Sequence, residues 1–221
     1  MKKKNLVLLL MIFAVFGFAG TAKAYNSRLV YNLDALPEKP IVIKGPDTSQ
    51  AFYGRLKGWE EYFQFNLKTT SSFYWQTMVP NVKGISKNIQ ADLIDNASTK
   101  VIARLDASQS EWRFSHEKST GNDYFVGPSS AITLEPGTYT IKVYNENNEG
   151  KYILVVGQKE SLTAGELFKT IVNLPALKIY FDQSILNAYL NYYGLFMAGG
   201  VIGLLIIYFL LGFIYRAITR L

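Results

Sequence analysis

The residue types best suited to chemistry are concentrated in one segment, residues 106–123, which we predict to be a long, irregular connection. It carries the carboxylates of Asp106, Glu111 and Asp123 together with His116 and Trp112. Carboxylate oxygens are the ligands that calcium prefers, and an aromatic ring can stack on a sugar. The segment lacks the ordered ligand spacing of an EF-hand loop, and the alternative is a solvated loop anchored by its aromatic side chains. We therefore take these five residues as candidate ligand-binding residues, with calcium as the one metal that they suggest.

The sequence offers little for catalysis. His116 is the only histidine and there is no cysteine, so a cysteine nucleophile is excluded and a zinc site would lack ligands. No serine stands in a G-x-S-x-G setting, and there is no glycine-rich phosphate loop. We predict a protein with no enzymatic activity and no cofactor beyond that calcium hypothesis. A surface hydrolase is the least favoured alternative.

The body that must position these residues shows the alternation of β-strands. Apolar residues recur at every second position in segments 63–67 and 139–143, because alternate side chains of a half-buried strand face the core. Tyr152, Leu154 and Val156 share one face of another strand, in segment 152–156. Glycine and proline turn signals separate further short runs, with no helical crossover between them. The pattern predicts an all-β fold, an antiparallel β-sandwich that is jelly-roll-like, over residues 41–158, after a lead-in at 25–40.

Four segments of this body carry a resemblance. Residues 51–56 and 59–65 read AFYGRL and WEEYFQF, and residues 134–141 and 150–156 read LEPGTYTI and GKYILVV. Together they resemble the opening strands and the closing hairpin of the bacterial pre-peptidase C-terminal (PPC-like) jelly-roll domains, over about residues 41–157. The resemblance implies a β-sandwich accessory module that binds or stabilises and does not catalyse. No peptidase domain accompanies it in this sequence.

The net charge of +6 arises at the two ends of the chain. Four of the 23 basic residues precede Tyr25 and two follow Tyr193, so the segment between them holds 17 basic residues against 17 acidic residues. A nucleic-acid-binding domain needs a basic face on its folded body. The neutral body predicts that nucleic acid is not a partner.

The amino-terminal end has the pattern of a secretory signal peptide. Three lysines precede an apolar run at residues 6–20, and Ala22 and Ala24 provide the small residues of a cleavage site. About 15 apolar residues form a helix of only ~22 Å, shorter than the ~30 Å hydrocarbon core. We predict a signal peptide at 1–24 that is cleaved after Ala24; a retained anchor is the alternative.

The carboxyl-terminal end predicts a transmembrane helix. Residues 194–215 are almost purely aliphatic and aromatic, and a helix of this length measures about 33 Å. Arg216 and Arg220 then predict that the tail at 216–221 is cytoplasmic and the β domain outside or periplasmic. Gly199 and Gly203 form a small-xxx-small pair, which predicts helix packing with a membrane-protein partner or with a second copy.

A different segment, residues 161–190, joins the body to this helix. Thr163 and Glu166 have the spacing of a capping box, which predicts a helix to about Val172; Pro175 then predicts a break before a second helical stretch. One interpretation is an interfacial or partner-docking helix beside the membrane. The other is a helix that packs back on the sandwich or continues into the membrane span.

These features predict a single-pass protein of the cell membrane, with an extracytoplasmic β-sandwich that acts as a binding or assembly module. The bilayer is its partner through residues 194–215. The alternative is an accessory subunit of a larger membrane complex, which contacts its partners through the transmembrane and juxtamembrane helices.

Overall fold

Two β-sheets pack face to face and enclose the main core. The computed structural model describes residues 26–29, 35–118, 120–160, 164–190 and 192–218; the predicted signal peptide at 1–24 and Thr163 lie outside them. One sheet has the order β1 (Asn26–Leu29), β3 (Gln50–Lys57), β11 (Glu149–Val156), β5 (Ser71–Pro80), β9 (Asn122–Leu134), β8 (Arg113–Glu117). The other has the order β2 (Ile41–Val42), β4 (Glu61–Leu67), β10 (Gly137–Tyr144), β6 (Gln90–Asp95), β7 (Lys100–Leu105).

The predicted β-sandwich of two sheets is confirmed, and the three segments named above lie within β4, β10 and β11. The prediction of purely antiparallel sheets is wrong, because β1 joins β3 and β2 joins β4 in parallel; the other pairings between named strands are antiparallel. Large side chains from both inner faces fill the space between the sheets, led by Trp75, Tyr152, Phe63, Phe65 and Phe73. Phe65 stacks on Phe73 with ring centroids 4.3 Å apart.

Segment 106–123 is more regular than the sequence indicates. It contains a 3₁₀ helix at Ala107–Gln109 and strand β8, which pairs with β9 as the edge of the six-stranded sheet. The sequence signal is weak because β8 has one neighbouring strand and leaves Phe114 largely exposed. The prediction of a long irregular connection is therefore wrong.

Helix α1 (Ala164–Tyr180) runs without interruption through Pro175, so the predicted break there is wrong. A proline inside a helix removes one backbone hydrogen bond and costs about 3 kcal/mol. Leu174, Leu177 and Phe181 are buried against the sandwich, and this burial offsets the cost because each such side chain contributes about 1.5–3 kcal/mol.

Helix α2 (Tyr192–Ile218) is 27 residues long and follows a short 3₁₀ helix at Ile185–Ala188. Its large apolar side chains in 201–213 are between 40% and 72% exposed. Among the residues whose side chains the structure describes, no helix combines the length and the hydropathy expected of a membrane span.

Candidate functional site

Strands β8 and β9 bring together two of the five predicted ligand-binding residues. His116 and Asp123 stand directly opposite each other, and His116 Nδ1 lies 2.6 Å from Asp123 Oδ1, with both side chains partly exposed. The carboxylate can orient the imidazole and pair with its protonated form. Among the described residues there is no group of three or more histidine, aspartate or glutamate side chains that could hold a metal ion.

Asp106 lies apart from that pair, at the end of β7. Its Oδ1 accepts hydrogen bonds from the Ser108 backbone N–H at 2.8 Å and from Ser108 Oγ at 2.7 Å, which caps the 3₁₀ helix. These hydrogen bonds, with a smaller contribution from the charge of Arg104, lower the pKa of Asp106. The carboxylate is thus engaged in holding local structure.

Trp112 packs against the protein, and its neighbour Glu111 is exposed. The indole lies so close to Gly127 that a Cβ at that glycine would stand 2.6 Å from the ring, and Trp112 Nε1 donates to the Ala107 carbonyl at 3.4 Å. An indole packed in this way presents little surface to a sugar. The five predicted residues therefore divide into a His116–Asp123 pair, a helix cap, a packing residue and an exposed carboxylate.

The outer side of the five-stranded sheet carries a polar face, which we define as Tyr62, Asp92, Arg104, Lys142 and Tyr144. Tyr62, Lys142, Asp92 and Arg104 occupy one row across strands β4, β10, β6 and β7. The row lies on the outer side because its members alternate in sequence with residues that face the core, although Asp92 itself is buried. Sequence alternation indicates outward positions, but only the strand register brings these four side chains together.

Opposite charges on the polar face are paired. Arg104 Nε and Nη2 donate to the two Asp92 carboxylate oxygens at 2.6 and 3.1 Å, and Tyr144 Oη donates to Asp92 Oδ1 at 3.3 Å. Partial burial, with the nearby Glu60 carboxylate, raises the pKa of Tyr62 to about 12. Partial burial also raises the pKa of Tyr144, so both tyrosines stay protonated at neutral pH. Both hydroxyls donate to carboxylates of the protein itself, and Lys142 Nζ lies 4.4 Å from the centre of the Tyr144 ring.

Lys178 of helix α1 forms a site that the sequence does not reveal. Its side chain is fully buried, and Nζ donates to the carbonyls of Thr120 at 2.7 Å and Gly121 at 3.2 Å. It also donates to Asn122 Oδ1 at 2.6 Å and to Gln183 Oε1 at 3.0 Å. Burial lowers the pKa of Lys178, although the carboxylates of Glu117 and Asp123 act in the opposite direction. The lysine attaches the end of α1 to the turn between β8 and β9.

Further contacts hold α1 on the outer face of the six-stranded sheet. Tyr180 Oη donates to the carbonyls of Tyr152 at 2.6 Å and Gly54 at 3.0 Å, and Lys151 Nζ lies 2.7 Å from Asp182 Oδ1. A second apolar cluster joins the helix to the sheet: Ala51, Tyr53, Met78, Tyr124, Ile153, Val155, Leu174, Leu177, Phe181, Ala188. Of the two interpretations of segment 161–190, the structure favours a helix that packs back on the sandwich.

Gly199 and Gly203 lie on the open surface of α2. A Cβ added at either position would meet no atom within 4 Å. No other described element therefore lies next to these two predicted helix-packing residues.

The chain matches no protein-family profile and no curated protein sequence. It is similar in structure to the pre-peptidase C-terminal domain of a Bacillus anthracis collagenase, at 14% identity and a TM-score of 0.33, over 61% of this chain and 97% of that one. It is also similar to a periplasmic inhibitor of g-type lysozyme from Aeromonas hydrophila, at 13% identity and a TM-score of 0.36, over 59% and 97% of the two chains. These values are low, and the β-sandwich architecture rests on the two sheets themselves.

Proposed function

We propose that this chain is a membrane-anchored, extracytoplasmic β-sandwich of the PPC-like kind, which binds or assembles partners and has no catalytic activity. The observation that carries the proposal is the connection between its parts. Helix α1 is attached to the sandwich through Lys178 and Tyr180, and a short 3₁₀ helix leads from it into the apolar helix α2. The sandwich would thus be held close to the bilayer.

The exposed surface of α2 and the composition of its sequence support an anchoring role. The large apolar side chains in 201–213 are between 40% and 72% exposed, and the sequence has no charged residue between Asp182 and Arg216. A surface of this kind is stable in lipid and unfavourable in water.

Charge at the ends supports one orientation. Arg216 and Arg220 follow the apolar helix, and positively charged residues next to a membrane span favour the cytoplasmic side. A signal peptide at 1–24 would export the other end of the chain. In this orientation the sandwich lies outside the cytoplasm, where the polar face is accessible to a ligand.

Cysteine labelling tests the topology cleanly, because the chain has no cysteine of its own. One variant carries Glu146→Cys in the exposed turn between β10 and β11, and a matched variant carries one cysteine appended after Leu221. In intact spheroplasts we expect a membrane-impermeant maleimide to label the first variant only, and to label both after detergent is added. Labelling of the appended cysteine alone would contradict the proposed orientation, and release of the protein by alkaline carbonate would contradict the anchor.

An accessory subunit of a membrane complex is the second candidate. The open glycine surface at Gly199, Gly200 and Gly203 favours it, since small residues let two helices approach closely. We expect Gly199→Leu with Gly203→Leu to reduce the mass of the complex purified in mild detergent, whereas Leu205→Ile leaves it unchanged. An unchanged mass in the glycine variant would contradict this role.

A further inference from the structure

A short apolar surface precedes helix α2. We call it the turn patch and define it as Ile185, Leu186, Tyr189 and Leu190, whose exposed fractions are 50%, 75%, 49% and 79%. All four belong to the 3₁₀ helix Ile185–Ala188 or to the two residues after it. Single exposed apolar residues are common on proteins, but four within six positions are a concentration of exposed apolar side chains that marks an interaction site.

The turn patch is held outward by local structure. Ser184 Oγ accepts from the Leu186 N–H at 3.3 Å, and the Ser184 carbonyl accepts from the Asn187 N–H at 3.0 Å. Between the exposed residues, Ala188 is completely buried in the second apolar cluster. The backbone of the turn is thus fixed to the sandwich on one side, while its large apolar side chains face away from the protein.

We propose that the turn patch is seated in the interfacial region of the bilayer, so that the sandwich rests on the membrane surface. This inference depends on the proposed membrane anchor. Helix α2 begins only two residues after Leu190, and two residues span at most about 7 Å. The interfacial layer on each side of the hydrocarbon core is about 5–8 Å thick, so the patch would lie within its reach once α2 is inserted.

The chemistry of the segment fits lipid better than water. The residues between Asp182 and α2 are apolar or uncharged polar, so seating them requires no desolvation of a charge. Tyr189 has an apolar ring and a polar hydroxyl, the combination that is enriched at membrane interfaces. The proposed partner is therefore the boundary between the lipid headgroups and the acyl chains.

Spin labels at single cysteines test this in the full chain, reconstituted in vesicles of phosphatidylcholine and phosphatidylglycerol. The labelled variants are Leu186→Cys and Leu190→Cys in the turn patch, Ile207→Cys in α2, and Ser129→Cys on the exposed part of β9 as the aqueous reference. Oxygen concentrates in lipid, whereas a nickel chelate stays in water. We expect the ratio of oxygen to nickel collision rates at 186 and 190 to be several-fold higher than at 129.

The reference positions separate the two proposals. A lipid-like ratio at 207 with a water-like ratio at 186 and 190 overturns the seating of the turn patch and leaves the anchor standing. A water-like ratio at 207 overturns the anchor and the seating with it. Low access of both reagents to 186 and 190 means that protein covers the patch, and this outcome also overturns the lipid assignment.

Discussion

Lys178 places an ammonium group in the interior, between helix α1 and the turn that joins β8 to β9. Four oxygen acceptors surround it, two of them backbone carbonyls at 2.7 and 3.2 Å. Burying a charge is costly unless hydrogen bonds replace its water. With those bonds formed, the lysine links two distant parts of the sequence, and its removal takes away the donor that these acceptors share.

We expect Lys178→Met to lower the free energy of unfolding by about 2–3 kcal/mol, because Met keeps the apolar stem but provides no donor. Urea unfolding followed by tryptophan fluorescence in mild detergent measures the change. Lys100→Met, on exposed strand β7, is the matched control and should change stability by less than about 0.5 kcal/mol. Equal stability of the two variants would contradict a structural role for the buried charge.

Glu61 gives the stability a dependence on pH. It is buried and accepts a hydrogen bond from Tyr152 Oη. Burial raises its pKa above 4.5, and this effect exceeds the opposing effects of that hydrogen bond and of Lys57. As the pH rises above about 4.5, this carboxyl loses its proton more readily in the unfolded chain than in the folded one, so the equilibrium shifts toward the unfolded chain. The folded protein should therefore lose stability relative to Glu61→Gln over that range, as measured by urea unfolding from pH 4 upward. If the stability advantage of Glu61→Gln over the wild type grew as the pH falls instead, the burial of this carboxyl would be contradicted.

At the scale of elements, helix α1 acts as an additional layer of the core. Its buried residues Leu174 and Leu177, together with Phe181 directly after the helix, cover the outer face of the six-stranded sheet, whereas Val172 and Ile179 are exposed. We expect Leu177→Ala to cost about 2–5 kcal/mol of unfolding free energy. Ile179→Ala, on the exposed side of the same helix, should cost less than about 1 kcal/mol. Equal losses would mean that α1 is not docked in solution as it is in the structure.

Strand β11 is buried on both faces, because α1 covers its outer one, and it is recognised by its apolar composition. Strands β4 and β10 could be predicted from the sequence because their residues alternate between core and surface. Phe63, Phe65 and Ile141 carry that signal and lie in the core as expected. Helix α1 is less clearly indicated by its sequence, because Pro175 predicts a helix break as long as the burial of its neighbours is unknown. The helix continues because tertiary contacts of Leu174 and Leu177 outweigh the local cost.

The candidate sites were harder to predict than the strands, because they depend on strand pairing. His116 and Asp123 lie seven positions apart in the sequence, and only the pairing of β8 with β9 makes them neighbours. The same is true of Arg104 and Asp92, which the pairing of β6 with β7 aligns. The local sequence predicts that Lys178 is a solvated residue of a helix. Nothing in it indicates that oxygen atoms of residues 120–122, 56 to 58 positions earlier, accept hydrogen bonds from this lysine.

At the scale of the whole molecule, the packing of α1 groups residues 35–190 into one folded unit. The second apolar cluster joins α1 and the 3₁₀ helix to strands β3, β5, β9 and β11. Without that cover, Tyr53, Met78 and Ile153 would face solvent. Helix α1 is thereby fixed to the six-stranded sheet, and the main core joins that sheet to the five-stranded sheet with the polar face.

Two truncated chains test this unit. A chain that ends at Leu190 keeps α1 and should unfold cooperatively, with nearly the stability of the full chain. A chain that ends at Glu160 lacks α1 and should lose about 5 kcal/mol or more, because three large apolar side chains at about 1.5–3 kcal/mol each no longer cover the sheet. It should also bind a hydrophobic dye, since the outer face of the six-stranded sheet becomes exposed. Equal stability of the two chains in urea would mean that the sandwich is complete without its helix, and that α1 serves only to connect it to α2.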